Sequence, residues 1–433
     1  MTEASPSTTG ATTSTGEPTG LRKLNGVTAV LFILAFGGSF LAIITPTVST
    51  FSVRLSQLTS DTAEASAALG WIFGVGGIIA LCVGPVYGAL SDRTLSRFGR
   101  RRPWLIGGTI ATLVSLFFVG VAPSIPLIAL AWFATQLSAG SMIMALNAFM
   151  PDWVPASQRG RIGGWIGIAQ QSIPLLGIYI AQVVVSQGLD SVLLFIIPGI
   201  AGLFFVLIFA FVMPDKTVSR ADIAPFSVVT LARTFWFSPR RYPDFAWAWL
   251  GRFFMSLMFG IYAVYQFLFI LARFESDIAA ALSLQLLIGI VQVVVLAIAA
   301  HLSGLYSDKS GRRKNGVYLG SALFVVSMIM HAFAQDLWVF WAATVVASLA
   351  IGVYFAIDLA LVTDVLPEKE TRAASGMGIF NIASALPTAI APFFAPLFLN
   401  IGGTGDNYVA LWLGAAAFAV LGSLTVARIR SVR

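Results

Sequence analysis

This chain has little that can ionise. Lys, Arg, Asp and Glu make up 10% of its 433 residues, against about 25% in soluble domains. A soluble globular fold is therefore excluded, because most of the chain must face lipid or other apolar helices. Cysteine is nearly absent too. The lone Cys82 rules out an intrachain disulfide or a thiolate metal site, and reads as a small apolar core residue. Two histidines, His301 and His331, stand at unrelated positions with no metal-ligand spacing. No Walker motif occurs, and Gly74-Val75-Gly76-Gly77 has no preceding strand to make it a phosphate loop. With no nucleophile–His–acid set either, neither an enzyme nor a cofactor is expected.

Apolar sequence is what the chain has in quantity, at 58% hydrophobic residues. Segments long enough to cross a bilayer, roughly 20 residues each, fall at 27–51, 68–90, 104–122, 126–149, 163–185 and 192–213. They resume at 245–271, 279–301, 317–334, 337–363, 376–400 and 408–427. The expected fold is an all-α membrane protein of twelve helices in two pseudo-symmetric six-helix bundles. A Thr/Ser/Gly/Pro-rich cytoplasmic tail over 1–25 is expected to be disordered. The N-terminal bundle spans 26–213, a cytoplasmic linker 214–243, the C-terminal bundle 244–428 and a basic cytoplasmic tail 429–433. No basic start with a short apolar core marks a cleavable signal, so the first helix is expected to direct insertion.

Charge sets the orientation. With both termini inside, 23 of the 26 basic residues fall in cytoplasmic segments. Arg54 and Arg273 lie outside and Arg252 lies within the membrane. Loops rich in Lys and Arg resist translocation, so both termini are read as cytoplasmic and the protein as multi-pass in a cell (inner) membrane. This distribution accounts for the net charge of +7 without nucleic acid.

Two stretches repeat. Gly88 to Trp104, GALSDRTLSRFGRRRPW, is echoed by Gly304 to Gly316, GLYSDKSGRRKNG, 216 residues later. Pro151-Asp152-Trp153-Val154-Pro155 followed by Gly163-Gly164 matches Thr363-Asp364-Val365-Leu366-Pro367 followed by Ser375-Gly376, at an offset of 212. Chance apolar similarity does not reproduce Asp, Pro and Gly together, so the chain is two related halves.

The second basic loop, Gly304-x3-Asp308-Lys309-x-Gly311-Arg312-Arg313, resembles the signature loop of the major facilitator superfamily almost residue for residue. The first, with Gly88, Asp92, Arg93, Gly99, Arg100 and Arg101, carries four extra residues between Arg93 and Gly99. In that longer form it resembles the sucrose-type and glycoside:cation symporters. Ala360 to Pro367 and Gly251-Arg252-Phe253 are also similar to bacterial members of that group. The resemblance implies a secondary carrier working by alternating access, and within the group proton-coupled uptake of a glycoside such as a disaccharide. Its expected partners are a small sugar, a coupling cation taken as a proton, and the lipid bilayer, with the chain acting as a monomer. The alternatives are proton-driven efflux of an amphipathic compound and a non-transporting sensor on a carrier scaffold.

The loops have a physical role to match. Asp92 should sit beside the start of the eleventh helix near Gly376, and Asp308 beside the fifth near Gly163, where carboxylates complement the helix dipole. Those contacts would cross between halves and hold the cytoplasmic side shut.

Arg252 and Asp358 are the ionisable groups clearly inside predicted helices, and burying either is expensive. Asp358 lies six residues before Asp364, about 9 Å inward, and Arg252 eight after Asp244, about 12 Å inward. Similar depth within one half permits an ion pair, either a proton-coupling site or a structural clasp. Plant-type sucrose carriers have an acid within the fourth helix. Residues 126–149 contain none here, so Asp358 in the equivalent helix of the other half is the candidate to supply it. Sugars need amides for their hydroxyls and aromatic faces for their rings. The candidates are Gln136, Asn147, Gln170 and Gln171 in the first half, and Tyr262, Tyr265, Gln266, Gln292 and Asn381 in the second. Each also fits an ordinary helix–helix hydrogen bond.

Overall fold

The computed structural model describes residues 23–59, 62–217, 238–310, 313–365, 373–403 and 405–429. Most of the expected tails at 1–25 and 429–433, and residues 218–237 of the linker, lie outside them. So do Gly311 and Arg312 and the side chain of Asp308.

The described chain has twelve helices long and apolar enough to cross a membrane. The first half holds α1 (Gly26–Leu58), α2 (Thr62–Ser91), α3 (Arg102–Val121), α4 (Ile125–Trp153), α5 (Ala156–Ser186) and α6 (Leu193–Val212). The second holds α7 (Pro243–Arg273), α8 (Ile278–Ser310), α9 (Arg313–Ala332), α10 (Leu337–Val365), α11 (Ala373–Leu399) and α12 (Tyr408–Val426). The helices explain themselves locally. Pro126, Pro243 and Pro103 occupy first-turn positions, where a missing N–H costs nothing. Asn25 and Asn407 cap α1 and α12 by accepting from main-chain N–H groups.

The first helix runs past its expected end. Pro46 cannot donate within the helix, yet it opens a π-turn over Pro46–Thr50 rather than a stop. Thr47 Oγ donates to the Ile43 carbonyl at 3.0 Å across this turn. The helix then continues to Leu58, and Arg54 secures its end by donating to Ser191 Oγ at 3.0 Å and the Ala122 carbonyl at 2.9 Å.

Within each half, helices approach through small residues. A Cβ on Gly38 of α1 would lie 2.8 Å from the Gly202 carbonyl carbon of α6, so only glycine permits that crossing. Outward faces carry Phe117, Phe118, Phe204, Phe211, Ile298, Leu302 and Leu319, all exposed, which suits lipid rather than water. Cys82 is exposed as well, against the reading of it as a core residue. It lies one position off the Gly70–Gly74–Gly77 line by which α2 packs, so its side chain turns outward.

The halves meet through α2 against α11 and α5 against α8. Their tight approaches all lie away from the basic loops. A Cβ on Gly70 would sit 2.7 Å from the Pro392 carbonyl, and one on Gly77 would sit 2.7 Å from Ala389 Cα. Gly289 of α8 packs against Leu175 of α5. Toward the basic loops the same helices part. Gly84 of α2, Gly160, Gly163, Gly164 and Gly167 of α5 and Gly304 of α8 have open space where a side chain would be. Gly160, Gly164, Gly167 and Gln171, about one turn apart on α5, are all exposed. Among the described residues, the halves are sealed at the end away from the basic loops and leave open space beside these glycines at the end that carries them.

Candidate functional site

A buried ion pair is at the centre of the second half. Arg252 on α7 pairs through Nη1 with Asp358 Oδ2 on α10, and its Nε donates to Ser384 Oγ on α11. The guanidinium carbon lies 4.7 Å from the Phe380 ring centroid and 5.3 Å from that of Phe355. Cation–π attraction thus supplements the charge pairing in this largely buried site. The side chains of Arg252 and Asp358 are 14% and 4% exposed, and Asp358 is the only buried carboxylate among the described residues. The depths counted from sequence do bring the two together. Ser384 completes the site and has no sequence signal beyond being a hydroxyl in an apolar helix.

A polar cluster lies about ten residues further along α7, roughly 15 Å toward the sealed end. Gln266 Nε2 donates to the Tyr262 hydroxyl at 2.8 Å, and Gln292 Nε2 donates to the same oxygen at 2.7 Å. Gln285 Nε2 reaches Gln266 Oε1 at 3.5 Å. Tyr262 packs edge-on against His331 and Trp412, with centroids 5.5 Å and 6.1 Å away. Sequence reasoning passed over Gln285, although it stands seven residues before Gln292 on the same face of α8. The signal was available: a second amide in an apolar span, in helical register with Gln292.

Tyr265 belongs elsewhere. Its hydroxyl is 3.0 Å from the Ser66 carbonyl on α2 and 3.4 Å from the Pro392 carbonyl on α11, so it is part of the seam between halves. Among the first-half candidates, Gln136 Nε2 reaches the Gly76 carbonyl at 3.4 Å. Gln170 is half-buried, and Asn147, Gln171 and Asn381 are exposed. The structure joins Tyr262, Gln266 and Gln292 by direct bonds and leaves the others apart from them.

The first basic loop forms a closed charge network within its own half. Arg101 Nη2 lies 2.8 Å from Asp92 Oδ1, and Arg100 Nη2 lies 2.7 Å from Asp152 Oδ2 at the end of α4. Arg100 also reaches Asp92 at 3.4 Å and Arg101 reaches Asp152 at 3.6 Å. Asp215, just past α6, accepts from the main-chain N–H groups of Arg101 and Arg102 at 2.8 Å and 2.7 Å. Gly99 makes this possible, with φ at +103° and the Asp215 side chain filling the place of its Cβ. Arg93 donates to the Ala89 carbonyl at 2.6 Å, and Gly88 has only Met144 of its own half nearby.

Asp92 is held by arginines of its own loop, and the side chains at the start of α11, where the sequence places its contact across the halves, lie outside the described residues. In the second loop, Lys309 is exposed and Arg313 opens α9. Beside them, Lys314 Nζ donates to the Ile429 carbonyl.

Comparison with known proteins agrees with this architecture. The family model of the Major Facilitator Superfamily matches residues 27–302 and 277–432. An uncharacterized symporter of Synechocystis is 43% identical over 79 residues, 18% of this chain and 14% of that one. A sucrose transport protein of Arabidopsis thaliana is 35% identical over 78 residues, 17% of this chain and 15% of that one. The matched stretch thus spans about one-seventh of either relative. The crystal structure of a D-xylose-proton symporter superposes with a TM-score of 0.69 at 14% identity, covering 94% of this chain and 98% of that one.

Proposed function

The chain belongs to the Major Facilitator Superfamily, and from that membership we propose that this transporter takes up a glycoside such as a disaccharide by alternating access, driven by a co-transported proton. The observation that carries the proton reading is the Arg252–Asp358 pair, which holds the one buried carboxylate of the described bundle interior. A proton arriving on Asp358 removes its charge and releases Arg252. The charge of a buried pair and the arrangement of α7, α10 and α11 around it then change together. With both termini cytoplasmic, as the basic loops require, the open end faces the cytoplasm. The paired carboxylate and the open cytoplasmic end coexist here, as uptake requires after sugar and proton have left.

Tyr262, Gln266 and Gln292 supply the hydroxyl and amide chemistry that a sugar needs, with Trp412 beside them as an aromatic face. Similarity to a sucrose transport protein over a short stretch, and the fold shared with a D-xylose-proton symporter, support the same substrate class. Counterflow in proteoliposomes tests the substrate directly. Vesicles loaded with one unlabelled disaccharide should transiently concentrate its labelled form, and an epimer should not exchange. Absence of counterflow across a panel of disaccharides and monosaccharides, with folded and inserted protein, would contradict the sugar reading.

A further inference from the structure

On the outer face of the first half, α2 and α3 both pack along α4 rather than against each other, and a cleft remains between them. Its volume is about 620 Å³. Gly107, Gly108 and Ala111 of α3 form one wall, and Ala134, Leu137 and Ser138 of α4 form the floor. The hydroxyl of Ser138 is spent on main-chain carbonyls of its own helix, and that of Ser141 on the Trp104 carbonyl. The trough is therefore apolar. Exposed Ile110, Val114, Leu130 and Leu137 place it on the lipid-facing side.

The end nearest the basic loop is closed by aromatics. Tyr87 of α2 and Trp104 of α3 meet with ring centroids 5.3 Å apart, and Trp104 Nε1 donates to Thr94 Oγ at 2.7 Å. Aromatic rings with a polar edge favour the headgroup level of a bilayer. Trp104 to Ala111 is seven residues, so the trough runs about 10 Å inward from that level.

Charge decides the occupant. Of the five arginines between 93 and 102, Arg100 and Arg101 are matched by Asp92 and Asp152. Arg102 donates to the Met213 carbonyl at 2.6 Å. Arg97 is exposed over the Phe98 ring, with no carboxylate partner among the described residues, three positions from Thr94 at the mouth of the cleft. We propose that this cleft binds an anionic phospholipid, with an acyl chain in the trough below Tyr87 and Trp104 and the phosphate group at Arg97. The site is independent of which solute the protein carries.

Native mass spectrometry of the full chain in detergent, titrated with phosphatidylglycerol or phosphatidylcholine, tests the site. One phosphatidylglycerol should bind in preference to phosphatidylcholine. Arg97→Gln should narrow that preference about fivefold, the contribution of one basic side chain near an anionic headgroup. Gly107 has nothing within 4 Å of where its Cβ would be, so Gly107→Leu fills the trough without a clash and should expel the bound lipid. Equal binding of the two lipids, unchanged binding in Gly107→Leu, or a second copy of the chain in place of lipid would each overturn the proposal. If Gly107→Leu does not fold, quenching of the wild-type chain by bromine-labelled phosphatidylglycerol, compared with Trp104→Phe, decides it. The Trp104 component must be quenched, and its survival would contradict the site.

Discussion

The Tyr265 hydroxyl on α7 donates to the Ser66 carbonyl on α2 across 3.0 Å. It joins the two halves, and it lies at the end away from the basic loops. That bond exists only while this end is sealed, so removing it should act on a conformational balance rather than on folding of either half. Tyr265→Phe gives up one buried neutral hydrogen bond, about 1 kcal/mol, which corresponds to roughly a fivefold shift toward the state open at the sealed end. Spin labels at Gln57 and Ile401 should show a larger fraction of long distances in the variant. An unchanged distance distribution would mean that the bond does not bias the seal.

The seam also depends on glycines. A Cβ at Gly77 would strike main-chain atoms of Ala389, whereas Gly84, two turns along α2, has open space. Overpacking of this kind costs about 1–3 kcal/mol, here only in the sealed state. With Cys82→Ser as background and a cysteine placed at exposed position 164, Gly77→Ala should slow thiol labelling of the open vestibule several-fold. Gly84→Ala should leave it unchanged.

For the ion pair, the expected signature is non-additivity. Asp358→Asn leaves Arg252 buried without its counter-charge, and removing one member of a buried pair costs about 3–5 kcal/mol. Asp358→Asn together with Arg252→Gln should be more stable than Asp358→Asn alone in thermal unfolding. Strict additivity would show that the two side chains do not act as a pair.

Tyr262→Phe leaves the amide groups of Gln266 and Gln292 without their shared acceptor. An unsatisfied buried donor costs about 1–3 kcal/mol. The variant should therefore raise the KM for sugar by about tenfold or more, with proton coupling retained. A variant with wild-type KM would remove Tyr262 from the sugar site.

The twelve spans were legible because the bilayer demands long apolar runs, and the pairing of Arg252 with Asp358 was legible because charge in such a run is rare. Helix counting then placed them at matching depth. The boundaries were less legible. The first span, expected over 27–51, runs on to Leu58 through a π-turn that absorbs the N–H missing at Pro46. The pairing of Asp92 with Arg100 and Arg101 was not legible either, because a loop with five arginines does not say which of them a carboxylate will meet. Tyr265 read as a sugar ligand because its partner, the Ser66 carbonyl, is a main-chain group with no signature in the sequence.

The most direct test is internal pH in proteoliposomes of the wild type and of Asp358→Asn while disaccharides are added outside. Proton-coupled uptake requires the interior to acidify with one sugar and not with its epimer. It also requires Asp358→Asn to abolish that acidification while still exchanging labelled for unlabelled sugar. Sugar exchange by the wild type without acidification, or acidification unchanged in Asp358→Asn, would contradict the account.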